Sequence, residues 1–291
     1  MKRPTSITHL HLVSAINSEM EHEIKEYTGK SNAIRILDMG CGKGKFLAFV
    51  SNILPILHPD VKFEFYGYDI REHGARHENY LTTLIEYLNS EAPSENWEKR
   101  IEVISEHDNF PYDEGFFDYT VSNQVFEHIM NPEFIFGEIH RCLRPNGISI
   151  NLFPVKEVLY ESHLDLPLAH KILNWDLLKS YIRTLNSIGF GSFSKYKDKG
   201  TSIEHYAEFQ ADYLLNYTNY KSSKEFLLLG KKYGFRTSFR YTQEFYKSKL
   251  LSLLKIAPKY RYKTKRSTFL DKAAFSLLKY NSSVTLVLEK Q

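Results

Sequence analysis

The sequence predicts an α/β fold, a doubly wound, seven-stranded and mostly parallel sheet with a mainly helical insertion, on three observations. Ile36-Leu37-Asp38-Met39-Gly40-Cys41-Gly42-Lys43-Gly44-Lys45-Phe46-Leu47 reads as a buried strand, a turn with alternating glycines and the start of a helix. Further strand-like runs at 62–68, 101–105, 117–122 and 148–153 alternate with helical stretches, which is the pattern of parallel βαβ units. Runs at 234–239 and 283–288 then supply a late strand and an antiparallel edge.

The first turn carries the chemistry. Glycines at every second position let the backbone approach a ligand, because no Cβ intervenes and positive φ is open to them. The spacing Asp-x-Gly-x-Gly-x-Gly differs from the Gly-x-Gly-x-x-Gly that seats a dinucleotide pyrophosphate on a helix N-terminus. A carboxylate at the strand end, Asp38, repels a pyrophosphate and suits the cationic sulfonium of S-adenosylmethionine. The second strand ends in Asp69-Ile70, an acid that can accept both ribose hydroxyls beside an apolar residue for the adenine face. The third runs into His107-Asp108-Asn109-Phe110-Pro111, where Asp108 can accept from the adenine amino group. The fourth opens into Asn123-Gln124-Val125-Phe126-Glu127-His128, followed by a helix from about Pro132, a turn Leu143-Arg144-Pro145-Asn146-Gly147 and the fifth strand.

These motifs, in this order, resemble a class I S-adenosylmethionine-dependent methyltransferase of the branch that holds ubiquinone- and menaquinone-type and many small-molecule methyltransferases. The resemblance spans roughly residues 30–154. It implies that Asp38, Gly40, Gly42 and Gly44 hold the methionine and sulfonium end, Asp69 the ribose, Ile70 one face of the adenine, and Asp108 with Asn109 its edge. Asn123, at the fourth strand's end, joins this cofactor set. Glu127-His128 stands where the family often carries such a pair, and the expectation is helix packing beneath the cofactor.

Composition agrees with such an enzyme. The chain has 291 residues, 42% of them hydrophobic, enough for a sizeable core. Cys41 and Cys142 lie in no metal-ligand spacing, and a reduced cytoplasmic protein is the expectation. The N-terminus is basic, but acids follow at Glu19, Glu21, Glu23 and Glu26, so no signal peptide is expected, nor any apolar membrane span. Residues 8–27 carry Leu10, Val13, Ile16 and Met20 at helical spacing and are expected to form an amphipathic helix. Residues 1–154 are therefore assigned to the cofactor-binding core with its N-terminal helix, 155–222 to a helical acceptor-binding lid, and 223–291 to the rest of the sheet.

Within the lid, Tyr160-Glu161-Ser162-His163-Leu164-Asp165-Leu166-Pro167-Leu168-Ala169-His170 gathers two histidines and two carboxylates besides the terminal tyrosine. His163 and His170 are the candidate general bases, since methyl transfer to a hydroxyl is helped by removal of its proton. The competing expectation makes these residues caps of a helix started at Leu166-Pro167. Tyr206, Phe209, Tyr213, Tyr217 and Tyr220 fall on one helix face, more often core than substrate platform. His and carboxylate groups of this segment could hold a divalent cation that positions an acceptor's hydroxyls, but no compact ligand pattern is visible, and no metal is expected.

Residues 247–272 hold nine Lys or Arg against one acid, Asp271, while the whole chain carries +3. With Leu250, Leu251, Leu253, Leu254 and Ile256 this makes a basic amphipathic element. It suits an anionic membrane surface, a peripheral position at the inner face of a membrane or a lipid-linked substrate, and equally a solvated face. Nucleic acid is set aside, because no Asn/Asp-Pro-Pro-aromatic run follows the fourth strand. The expected reaction is in-line O-methylation of a sugar, glycan or other small-molecule hydroxyl, with a quinone-like ring or other small metabolite second. An NAD-dependent oxidoreductase and a non-catalytic cofactor-binding or membrane-surface module are the readings from other classes.

Overall fold

The computed structural model describes residues 6–72, 77–197, 200–256, 260–262 and 267–291. The chain opens with α1 (Ile7–Glu19), a 3-10 turn at Met20–His22 and the short α2 (Ile24–Tyr27). Then come β1 (Ala33–Met39), α3 (Lys45–Leu57), β2 (Lys62–Ile70), α4 (Tyr80–Glu91), β3 (Ile101–Ile104) and β4 (Phe117–Asn123). A 3-10 turn at Phe126–His128 leads to α5 (Pro132–Cys142) and β5 (Leu143–Pro154). The insertion carries a two-stranded hairpin, β6 (Tyr160–Glu161) and β7 (Leu166–Pro167), then α6 (Trp175–Ser187), α7 (Ser194–Lys197) and α8 (Ile203–Asn216). The chain closes with α9 (Ser223–Lys232), β8 (Phe235–Ser238), α10 (Thr242–Leu253), α11 (Thr268–Leu278) and β9 (Ser283–Lys290).

The seven strands run β3-β2-β1-β4-β5-β9-β8, parallel as far as β5 and antiparallel on both sides of β9. The order reverses between β1 and β4, so the strand ends that carry Met39 and Asn123 open a crevice there. Alternation of side chains across the sheet divides the core into two layers. Ile34, Ile36, Ile150 and Leu152 face α1, α3 and Phe245 of α10, whereas Leu37, Met39, Phe153 and Leu286 face Phe136 of α5 and Phe226 of α9.

The run 283–288, expected as the antiparallel edge, is β9 between β5 and β8, and β8 takes the edge; two further sequence expectations are corrected. The N-terminal helix ends at Glu19 and is not amphipathic: every residue from His9 to Ser18 is buried, because α10 covers the side turned away from the sheet. Its polar residues are accommodated by local bonds, with Ser14 and Ser18 hydroxyls donating to the Leu10 and Ser14 carbonyls. His11 lies between the Tyr262 hydroxyl, at 2.8 Å, and Thr285 Oγ1, at 2.7 Å. The second correction concerns Leu166-Pro167, which starts no helix but forms a hairpin strand. Asp165, at φ 54°, accepts from Ser192 and Lys195 instead of capping.

The insertion has a small core of its own, in which Leu164, Leu166, Leu178, Ile182, Tyr206 and Ala211 pack together. The aromatic stripe is accordingly split. Tyr206 belongs to that core, Phe209 is 60% exposed, and Tyr213 reaches toward the crevice. Of the basic stretch, residues 257–259 and 263–266 lie outside the described residues. The remainder forms the end of α10, with Leu250, Leu253, Leu254 and Ile256 exposed, the segment 260–262 against α1, and the start of α11.

Candidate active site

The glycine turn is held against β2 by two N–H donors, Gly40 and Cys41, on the Tyr68 carbonyl at 2.9 and 3.0 Å. Gly40 has φ 70°, and a Cβ there would lie 2.7 Å from Val125 Cγ2, so the turn and the β4 loop meet where only hydrogen fits. Gly44, also left-handed, gives its space to Leu84 of α4, 2.6 Å from where a Cβ would stand. At the tip of β2, Asp69 Oδ2 accepts from the Gly42 N–H at 2.7 Å and from the Tyr80 hydroxyl at 3.0 Å, while Oδ1 accepts from Ile70 N–H at 2.8 Å. Tyr80 also donates to the Gly42 carbonyl at 2.5 Å, a tie between α4 and the turn that no local sequence pattern announced. Asp38 is 2% exposed, and burial together with the neighbouring Asp69 charge pushes its carboxyl well above the ordinary range.

A cavity of about 260 Å³ opens beside this turn. Ile70, Ile104, Phe110, Phe126, Ile129 and Phe134 give it apolar walls, and Gly40, Asp69 and Asp108 its polar points. Of the residues nominated by the sequence, Gly40, Asp69, Ile70 and Asp108 line it, whereas Asp38, Gly42 and Gly44 stand behind the turn. Asn109 is exposed and does not line it. Asn123 is turned toward α1, its amide donating to Thr8 Oγ1 at 3.3 Å with Oδ1 buried and unpartnered. Asp108 accepts from the Ser105 N–H at 2.9 Å, and its loop is pinned to α5. The Phe110 N–H donates to Glu138 at 2.7 Å, and Arg141 donates to the Phe110 and Tyr112 carbonyls.

His128, also in the cavity wall, begins a second group of polar residues that extends into the insertion. The turn 126–130 is clamped from that side: Asn219 N–H donates to the Glu127 carbonyl at 2.7 Å, its amide donates to Ile129 and Met130 carbonyls, and His128 Nδ1–H donates to the Tyr217 carbonyl at 2.8 Å. The His128 and His163 rings lie 5.3 Å apart, edge to face, with Tyr213 against both. His163 Nδ1–H donates to Glu161 at 2.5 Å, and the same carboxylate accepts from Tyr220 at 2.9 Å and from Leu164 N–H at 2.7 Å. Burial alone would lower the His163 pKa, but the Glu161 bond and charge raise it, and in turn Glu161 is held below the ordinary range despite its own burial.

Glu127 is 1% exposed, neither carboxylate oxygen has a hydrogen-bond partner, and burial pushes its carboxyl up to about 8. Glu127 is thus buried as a packing residue would be, while His128 also lines the cavity. One ligand atom each from Glu127, His128 and His163 lies within 4.8 Å of the others, a cluster the sequence did not reveal because His163 comes from a separate element. The other candidate base, His170, is placed behind Tyr220, with ring centroids 4.7 Å apart. Its Nε2 donates to the Lys156 carbonyl, Nδ1 has no partner, and burial lowers its pKa.

The profile of the methyltransferase domain matches residues 12–196, and the chain belongs to that family, whose class I members use S-adenosylmethionine as methyl donor. Among solved structures, the DszA carbon methyltransferase aligns over 96% of this chain and 52% of its own, at 12% identity and TM-score 0.51, which shows the shared fold. Phosphoethanolamine N-methyltransferase 2 of Haemonchus contortus, solved with S-adenosyl-L-methionine, aligns over 92% of this chain and 51% of its own at 15% identity and TM-score 0.46. The YcgJ protein of Bacillus subtilis aligns over 94% of this chain and 98% of its own at 12% identity and TM-score 0.44. The chain thus spans about half the length of the first and second of these. No curated protein sequence matches it.

The site fits the donor. Gly40, in the cavity wall, packs so close to Val125 that no Cβ fits there, and the burial cost of two carboxylates at adjacent strand tips is offset by a cationic ligand.

Proposed function

We propose that this chain transfers the methyl group of S-adenosylmethionine to a hydroxyl of a small-molecule acceptor that enters beneath the 155–222 insertion. The observation that carries this reading is that Gly40 and Asp69 line the same cavity as His128, whose ring lies 5.3 Å from that of His163. When bound, the donor supplies an electrophilic methyl on a sulfonium sulfur. The protein's part is to hold the two reactants in line in a site closed to water. Asp69, oriented by Gly42 and Tyr80, fixes the ribose end, and the apolar walls flank the adenine. Asp38, its carboxyl pushed up by burial and by Asp69, is drawn toward its charged form by the cationic end of the donor. At the acceptor end, Glu161 holds the hydrogen of His163 on Nδ1 and so leaves the Nε2 lone pair to promote loss of the acceptor's proton.

A sugar or glycan hydroxyl is the favoured acceptor. The stacked rings of Tyr213 and Tyr217, with centroids 6.2 Å apart, offer a platform of the kind on which sugar rings lie. The exposed leucines at the end of α10, beside Lys247 and Lys255, suit a lipid-linked form of it. The test is calorimetric titration with S-adenosylmethionine and S-adenosylhomocysteine, followed by labelled methyl transfer into sugar, lipid and quinone pools. Micromolar binding that disappears in Asp69→Ala, with label entering one pool, supports the reading. A folded protein that binds neither compound sinks it.

A further inference from the structure

We propose that Glu127, His128 and His163 hold a divalent transition-metal ion at the acceptor end of the cavity. Three independent features of the structure converge on it. The first is the cluster itself, with one ligand atom per residue and all of them within 4.8 Å. Metal–donor lengths of about 2.0–2.2 Å put tetrahedral donors roughly 3.4 Å apart and opposed donors roughly 4.2 Å apart, so the three atoms close by up to about 1.4 Å around an ion. The second is Glu127, whose two oxygens are buried without a hydrogen bond. A carboxylate in that position costs free energy unless a cation or a proton meets it.

The third feature is the pair of hydrogen bonds behind the imidazoles. His128 donates from Nδ1 to the Tyr217 carbonyl and His163 donates from Nδ1 to the Glu161 carboxylate, which is itself fixed by Tyr220 and the Leu164 N–H. With hydrogen on Nδ1, each ring carries its lone pair on Nε2. A carbonyl or carboxylate in that place is what orients a metal-ligating histidine and raises its basicity. A structural reason for packing Glu127 would not need both rings tethered in this way.

Two imidazoles and one carboxylate select a borderline ion, Zn²⁺, Mn²⁺ or Fe²⁺, over Mg²⁺ or Ca²⁺, which take sets of oxygen ligands. Three protein ligands leave positions open, and His128 lines the cofactor cavity, so an acceptor oxygen is the natural occupant of an open position. That last role rests on the methyl-transfer reading and takes the place of the general-base role of His163, whose one Nε2 lone pair cannot serve both; the ion site itself does not rest on it.

Equilibrium dialysis of the full chain against Zn²⁺, with elemental analysis, and Co²⁺ titration read by visible absorption test the site. We expect one ion per chain, at least tenfold weaker binding in Glu127→Gln and in His163→Gln, and about 10- to 100-fold weaker binding in Glu161→Gln, which loosens the tether without removing a ligand. His140→Gln, outside the cluster, should bind as the parent does. Titration with S-adenosylmethionine runs beside each measurement. Binding of S-adenosylmethionine without uptake of Zn²⁺ or Co²⁺ overturns the metal site alone. Uptake unchanged in both Glu127→Gln and His163→Gln, with both variants folded by circular dichroism, overturns it too. Stoichiometric, variant-sensitive uptake with no S-adenosylmethionine binding keeps the site and removes the methyl-transfer reading instead.

Discussion

At Gly40 one hydrogen atom separates an open cradle from a blocked one. Gly40→Ala places a methyl against Val125 and holds a non-glycine residue at φ 70°. It should cost about 1–3 kcal/mol in urea unfolding and weaken S-adenosylmethionine binding by at least tenfold. Adding Val125→Ala should recover only the packing part, and full recovery would refute the role of the backbone conformation. Tyr80→Phe removes the hydroxyl that joins Asp69 to Gly42 and should weaken donor binding several-fold with the melting temperature little changed. How legible such residues are depends on distance along the chain. Asp38, Gly40 and Asp69 are strand-end residues whose role follows from their immediate neighbours. Tyr80 acts on Gly42 and Asp69 in other elements and was not singled out by the sequence, whereas Glu161 was read only as one of two carboxylates beside the histidines. His170 was as visible as His163, and only the fold sets it behind Tyr220.

Among the elements, the loop that carries Asp108 depends on α5. Glu138 accepts from Phe110 N–H and from Arg141, and although burial would raise its carboxyl, these bonds hold it below the ordinary value of 4.5. A carboxyl lowered in the folded state contributes stability above its unfolded pKa and loses it as pH falls through the folded one. Stability measured by urea midpoint should therefore decline below about pH 4.5, less steeply in Glu138→Gln, and equal slopes would contradict the assignment. The insertion, with its own core, is a separate cooperative unit: Leu178→Ala should speed amide exchange across α6 and α8 while leaving β1 and β4 protected. Its helices were legible from composition and periodicity, but the β6–β7 hairpin was not, since two-residue strands leave no period to read. The end of α10 can be tested as an element too. Leu253→Glu together with Leu254→Glu should abolish co-sedimentation with vesicles rich in phosphatidylserine, and a parent protein that does not sediment at low salt removes the lipid-surface role.

For the whole molecule, the parallel part of the sheet was legible because each strand ends in its own motif and each crossover has room for a helix, but the run 283–288, expected at the edge, lies between β5 and β8. What was not legible is the complete burial of α1. An amphipathic pattern reports the neighbour on one side only, and the second neighbour, α10, lies at the far end of the chain. His11→Leu, which leaves the Tyr262 and Thr285 hydroxyls without their ring partner, should lower stability by about 1–3 kcal/mol.

That placement of α1 sets an order of events during synthesis. The helix is synthesised well before the surfaces that enclose it, Phe245, Tyr262 and Thr285. Since α1 also supplies Thr8 to Asn123 beside the cofactor crevice, the nascent chain acquires a finished donor site only after β9 has threaded between β5 and β8. A stalled chain lacking β9 would expose the helix to chaperones and bind no donor.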